Sequence, residues 1–239
     1  MMLDPIENAI EELYQLAEVP PVTGTKHVVP LNDLVGAYNL ACIEMLALTS
    51  EAASNHLLQR GVILQPLRLV SREPLAGYVY ISKRVGYIFV EKDDPLGRRR
   101  FSVAHELGHY VLHFLPLLDH STHADYELVE ITEALTWGNA EEEEAEAPRQ
   151  GNVQPLQSEL VALLPSYDQM ELEANQFAGE LLMPELLVRE LVQRFAVDCR
   201  GDDLVWRLAT EMMMSRAAVK VRLRSLGLLP IPVGAHEEG

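Results

Sequence analysis

Arg100-Phe101-Ser102-Val103-Ala104-His105-Glu106-Leu107-Gly108-His109-Tyr110-Val111-Leu112-His113 places two histidines four residues apart, with a glutamate beside the first. On an α-helix, residues four apart share a face, so His105 and His109 can aim both imidazoles at one ion. This is the HExxH zinc pattern. Glu106 sits one position round the helix, poorly placed to bind the same ion but able to act as general base on a water beside it. Asp94 as cap, Pro95 at the first position and Pro116 as terminator predict a helix from about Pro95 to Phe114.

HExxH fixes only three positions, and two histidines on a partly apolar helix can equally be hydrogen-bonded core residues. A second stretch adds weight: Glu171-Leu172-Glu173-Ala174-Asn175-Gln176-Phe177-Ala178-Gly179-Glu180-Leu181-Leu182-Met183-Pro184. It reads as a helix capped by Ser166 or Asp168 and ended by Pro184. Catalytic zinc needs a third protein ligand, and a ligating histidine needs an acceptor for its other ring nitrogen. Glu171 and Asn175, on one helical face, can supply these.

Together, Arg98 to His113 and Glu171 to Pro184 resemble the ImmA/IrrE-type metallopeptidases, gluzincin-like proteins that in known cases cut transcriptional repressors. The resemblance implies zinc held by His105, His109 and Glu171, with Glu106 as base. It extends more loosely to strand-like runs before the first helix and to a C-terminal helix pair.

The choice between Glu171 and Glu173 turns on register. Residues advance about 100° each along a helix, so Glu173 points roughly 200° from Glu171 and only one can face the histidines. Glu171 shares its face with Asn175, and Ala174, Phe177, Ala178, Leu181 and Leu182 form an apolar stripe flanking that side. Glu173 falls with Gln176 and Glu180 on the wetter side. His113 lies eight residues from His105, about 12 Å along the axis, too far to share its ion, so packing is its expected role. His120 and His123 form a short HxxH with a low prior for a second metal.

The chain has 239 residues, 48% of them hydrophobic, enough for one substantial core with a small helical appendage. Neither a membrane span nor a signal peptide is visible, and a cytoplasmic setting is expected. Cys42 and Cys199 fit no metal or disulfide spacing and are expected as buried thiols. A net charge of −17 repels phosphate backbones and anionic lipid, which argues against nonspecific nucleic-acid binding and membrane contact.

The segmentation expected is an N-terminal helix and linker over 1–30, a metallopeptidase domain over 31–196 and a helix-turn-helix-like module and tail over 197–239. Pro5 to Ala17 has helical spacing, and Leu31 to Leu58 reads as a helix broken near Ser50. Val62 to Val70, Ala76 to Ser82 and Gly86 to Val90 read as strands of a small antiparallel sheet. An exposed edge there could pair with a peptide substrate, while Tyr78 and Tyr80 are expected to cover a sheet face. Arg98, Arg99 and Arg100 oppose the helix dipole and are expected to pair with acidic groups. An acidic insert over about 138–155 is expected to be a mobile loop, bracketed by short helices at Tyr126 to Trp137 and Leu156 to Leu164.

Asp203 to Glu211 and Arg216 to Leu226 read as a helix pair, capped at Ser215 and closed by Gly227. DNA contact through 203–226 is the lesser expectation, because cations near a helix C-terminus also compensate its dipole. The fold class expected is α+β, mainly helical and zincin-like. The function expected is zinc-dependent hydrolysis of a peptide bond in a regulatory protein such as a repressor or antitoxin. A non-catalytic metal-binding regulator or toxin component is the alternative. Tyr110 and Tyr78 are weak candidates for oxyanion stabilisation.

Overall fold

Helix-forming residues around the HExxH stretch build the central helix of the computed structural model, which describes residues 4–62, 72–81, 85–120, 131–133 and 164–228. The elements are α1 (Pro5–Leu16), α2 (Leu31–Ala37), β1 (Leu40–Met45), α3 (Ser50–Gln59), β2 (Gly77–Ile81), β3 (Gly86–Glu91) and α4 (Leu96–His109). A π-helical turn (Tyr110–Phe114) leads into α5 (Leu115–His120), followed by β4 (Ile131–Glu133), α6 (Tyr167–Leu182), α7 (Glu185–Phe195), α8 (Gly201–Met212) and α9 (Arg216–Ser225). The chain is α+β and mainly helical, as its periodicity predicts.

Two elements differ from the sequence reading. Leu40 to Met45, read as helix, is a strand, because its Cα partners run in parallel register from Leu40 opposite Gly86 to Met45 opposite Glu91. Tertiary pairing overrides the local apolar spacing here. The sheet is therefore mixed, in the order β1-β3-β2-β4, with β2 antiparallel to both β3 and β4. Within the segment read as a helix from Tyr126, Ile131 to Glu133 form the β4 strand. The rest of that segment, most of the run from Val62, the acidic insert and His123 lie outside the described residues.

The α4 helix also behaves differently at both ends. Pro95 is its N-cap, and Asp94 makes no capping bond but pairs with Arg98 at 3.1 Å. Nor does Pro116 end the helical run. The Leu115 N–H bonds the Tyr110 carbonyl, the five-residue span of a π turn, and Pro116 takes the second position of α5, where a missing N–H costs little.

The sheet separates two apolar layers, because successive side chains of a strand point to opposite faces. Val79, Ile81, Ile88 and Val90 face the main core, shared with α1, α4, α6, α7, α8 and α9. Tyr78, Tyr80 and Phe89 face the other way and pack with Leu48, Ala53 and Leu57 around α3. The tyrosines thus cover a sheet face as expected, and Tyr78 points away from the layer that holds α4. Cys42 and Cys199 are free and half-buried rather than fully buried, at the margin of the main core.

Two of the three arginines pair with acidic groups, Arg98 with Asp94 and Arg99 with Glu44 at 2.6 Å, whereas Arg100 is held by a backbone carbonyl, that of Val29 at 3.1 Å. In α9, Ser215 caps by accepting from the Ala218 N–H, Lys220 pairs with Asp202 at 3.0 Å, and Arg222 pairs with Glu180 and donates to the Met183 carbonyl. Lys220 and Arg222 of this helix are therefore held by groups of this chain. Among the described residues, no helix is long and apolar enough to cross a membrane.

Among the described elements, the most extensive packing joins α4 to α6. A Cβ at Gly108 would stand 3.0 to 3.2 Å from the Phe177 side chain, which is itself fully buried. Glycine lets the two helices approach this closely. Gly108→Leu is expected to destabilise the fold by about 1–3 kcal/mol through overpacking, read by urea unfolding. A variant as stable as the wild type would show that the helices are free to separate.

Candidate metal centre

Two helices distant in sequence supply the site. From α4 come His105, Glu106 and His109, all fully buried, and from α6 comes Glu171, 4% exposed. The α6 register is fixed by the Ser166 cap, whose side chain accepts from the Gln169 N–H, and by the buried stripe of Ala174, Phe177, Ala178, Leu181 and Leu182. This stripe is the one read from the sequence, and it turns Glu171 inward.

His105 Nε2 and His109 Nε2 lie 3.0 Å apart, and the Glu171 carboxylate reaches His109 Nε2 at 3.1 Å and His105 Nε2 at 3.6 Å. These separations bracket those of a tetrahedral ion, with the two Glu171 contacts made by different oxygens. Ligand bonds of about 2.0–2.1 Å at tetrahedral angles leave donor atoms roughly 3.3 Å apart. Two imidazoles and one carboxylate also form the donor set of a catalytic zinc, which keeps its fourth position open. Among the described residues, His105, His109 and Glu171 are the group of side chains whose donor atoms converge in this way.

Glu106 lies against the β2 backbone. A side chain at Gly77 would collide with the Glu106 carboxylate, so glycine at that strand position lets the sheet and the carboxylate meet. Tyr110, the other oxyanion candidate, packs edge-on against Tyr38 with ring centroids 5.2 Å apart. A groove of about 520 Å³ opens between α1, α6 and α9, but none of His105, Glu106, His109 or Glu171 lines it.

Sequence reasoning missed what stands behind His109. The His109 Nδ1 lies 3.2 Å from His113 Nδ1, and His113 Nε2 lies 3.0 Å from a Glu173 carboxylate oxygen. The second Glu173 oxygen accepts from Gln169 Nε2 at 2.6 Å. Burial pushes His113 down to about 4, outweighing the opposing pull of its Glu173 hydrogen bond, so its ring is neutral at pH 7. Partial burial acts to raise Glu173, but the hydrogen bonds from Gln169 and His113 hold it below the usual carboxylate range. Conversely, Asn175, the expected acceptor behind a ligand, has its Oδ1 buried with no hydrogen-bond partner among the described residues. The signal was present as a third histidine at the same four-residue step.

A family model for the IrrE N-terminal-like domain, Peptidase_M78, matches residues 69–136 and 158–224, which is more than half of the chain. No individually curated protein matches. The two matched segments contain both site helices, and their interruption falls in the acidic insert. The chain belongs to the IrrE N-terminal-like domain family of metallopeptidases.

Proposed function

We propose that this protein is a zinc-dependent endopeptidase that cuts one regulatory protein in the cytoplasm, such as a helix-turn-helix repressor or an antitoxin. The observation that carries the enzymatic reading is the convergence of His105, His109 and Glu171 with Glu106 buried beside them on α4. The partner class rests on the family resemblance. Zinc bound by these three residues would supply a Lewis acid and lower the pKa of an adjacent water towards 7. Glu106 would serve as the base that takes a proton from the attacking water and hands it to the leaving amine. The β2 backbone at Gly77 fixes one side of that carboxylate. His105, His109 and Glu171 orient the site from two helices locked together at Gly108 and Phe177.

One observation favours a second reading. His105, Glu106 and His109 are fully buried, which suits a metal-binding regulator that acts through its surface without turnover. The two readings separate on one substitution. Where the neighbouring open reading frame encodes a small helix-turn-helix protein, co-incubation with it, followed by intact-mass analysis, is expected to show one cut by the wild type. Glu106→Gln is expected to keep its zinc and leave that protein whole. Equal cleavage by both would sink the assigned base, and intact but bound partner with both would favour the regulator.

Glu171→Gln removes the anionic ligand while leaving the α6 stripe in place. It is expected to weaken zinc binding by orders of magnitude in a chelator competition and to retain cooperative unfolding. Unchanged affinity would remove Glu171 from the ligand set.

A further inference from the structure

A chain of contacts runs from the back of the ligand His109 through His113 to Glu173, and neither His113 nor Glu173 belongs to the ligand set or the acid–base step. Each nitrogen of the His113 ring faces a different polar partner: His109 Nδ1 at 3.2 Å and Glu173 Oε2 at 3.0 Å. A neutral histidine carries one N–H and one lone pair, so only two directions of hydrogen bonding are open to it. The Glu173 carboxylate can only accept, which places the His113 proton on Nε2 and leaves its Nδ1 as an acceptor. His109 must then present an N–H at Nδ1, and its Nε2 lone pair is directed at His105 and Glu171. That tautomer is the one a ligand needs. Gln169 completes the series by donating to the far oxygen of Glu173, which fixes the carboxylate's rotation.

We propose that His113 and Glu173 are positioning residues that lock the tautomer and ring orientation of His109 for metal binding through a histidine–histidine–glutamate relay. The inference rests on the reading of His105, His109 and Glu171 as ligands. His113 follows His109 by four residues, the step that puts two side chains on one helical face, and lies within the π turn Tyr110–Phe114. His113 is 3% exposed and Glu173 reaches it from the partly solvated side of α6, so the relay runs from the site toward the surface.

The test uses the full chain and zinc alone, with a chromophoric chelator as competitor. Groups behind a metal ligand contribute 10–100-fold in affinity, so His113→Phe and Glu173→Leu are each expected to lose about that much. Glu173→Gln is expected to stay within about threefold of wild type, because its amide carbonyl still accepts from His113 Nε2. Since the two residues act through one chain of bonds, the double variant His113→Phe/Glu173→Leu is expected to be no weaker than the worse single variant. Urea unfolding of the metal-free proteins shows which variants are folded. If His113→Phe does not fold, Glu173→Leu against Glu173→Gln decides, because residue 173 is partly exposed and tolerates either side chain.

Wild-type affinity in His113→Phe and Glu173→Leu, or equal losses in Glu173→Leu and Glu173→Gln, would overturn the relay while leaving the ligand set standing. Additive losses in the double variant would overturn it as a single chain. A wild-type protein that takes up no zinc, or one whose affinity Glu171→Gln leaves unchanged, would bring down the ligand reading and the relay with it.

Discussion

The contact of Gly108 with Phe177 sets how near α4 and α6 can lie, and the site depends on that spacing. Two imidazoles on one helix define a line, not a coordination sphere. A third donor must arrive from another element within a few tenths of an ångström, and here it arrives on a helix more than sixty residues away in sequence. With any larger residue at 108 in place of glycine, Phe177 would have to shift, and Glu171 is carried on the same helix as Phe177. The buried stripe of α6 then determines which of its acids turns inward. The packing of apolar side chains thus sets the geometry of polar ones.

The same packing explains how three ionisable groups can be buried together. His105, His109 and Glu171 each forgo water, a cost that converging donors recover only when they share a charge or a cation. Their separations fit a tetrahedral ion, and the family assignment supplies an independent reason to expect one. Behind them, the neutral His113 and the anionic Glu173 connect the site to the protein surface without placing a second positive charge beside the ligands.

Much of this was legible in the sequence, because helical period is a strong signal and both site helices carry it. The HExxH spacing identified His105 and His109, and the stripe from Ala174 to Leu182 selected Glu171 over Glu173. What escaped was what depends on contacts between elements. Leu40 to Met45 reads as helix by its apolar spacing and becomes a strand because β3 offers it a parallel partner. His113 was assigned to packing by a correct distance argument that addressed the ion alone. Its role lies one bond further out, where the four-residue step that pairs His105 with His109 is repeated and sets His113 against the far side of the His109 ring. Asn175 has the right helical face for a second layer of bonds, yet no donor among the described residues meets its oxygen. Shared face is necessary for contact and does not supply the partner.

The central claim is that one zinc ion is held by two imidazoles and one carboxylate. X-ray absorption at the zinc edge of the stoichiometrically loaded protein tests it directly. The account predicts a four-coordinate first shell of nitrogen and oxygen at about 2.0–2.1 Å, with outer-shell scattering from two imidazole rings. A sulfur shell near about 2.3 Å, which would bring in Cys42 or Cys199, or scattering that requires three rings, which would draw in His113, would contradict it.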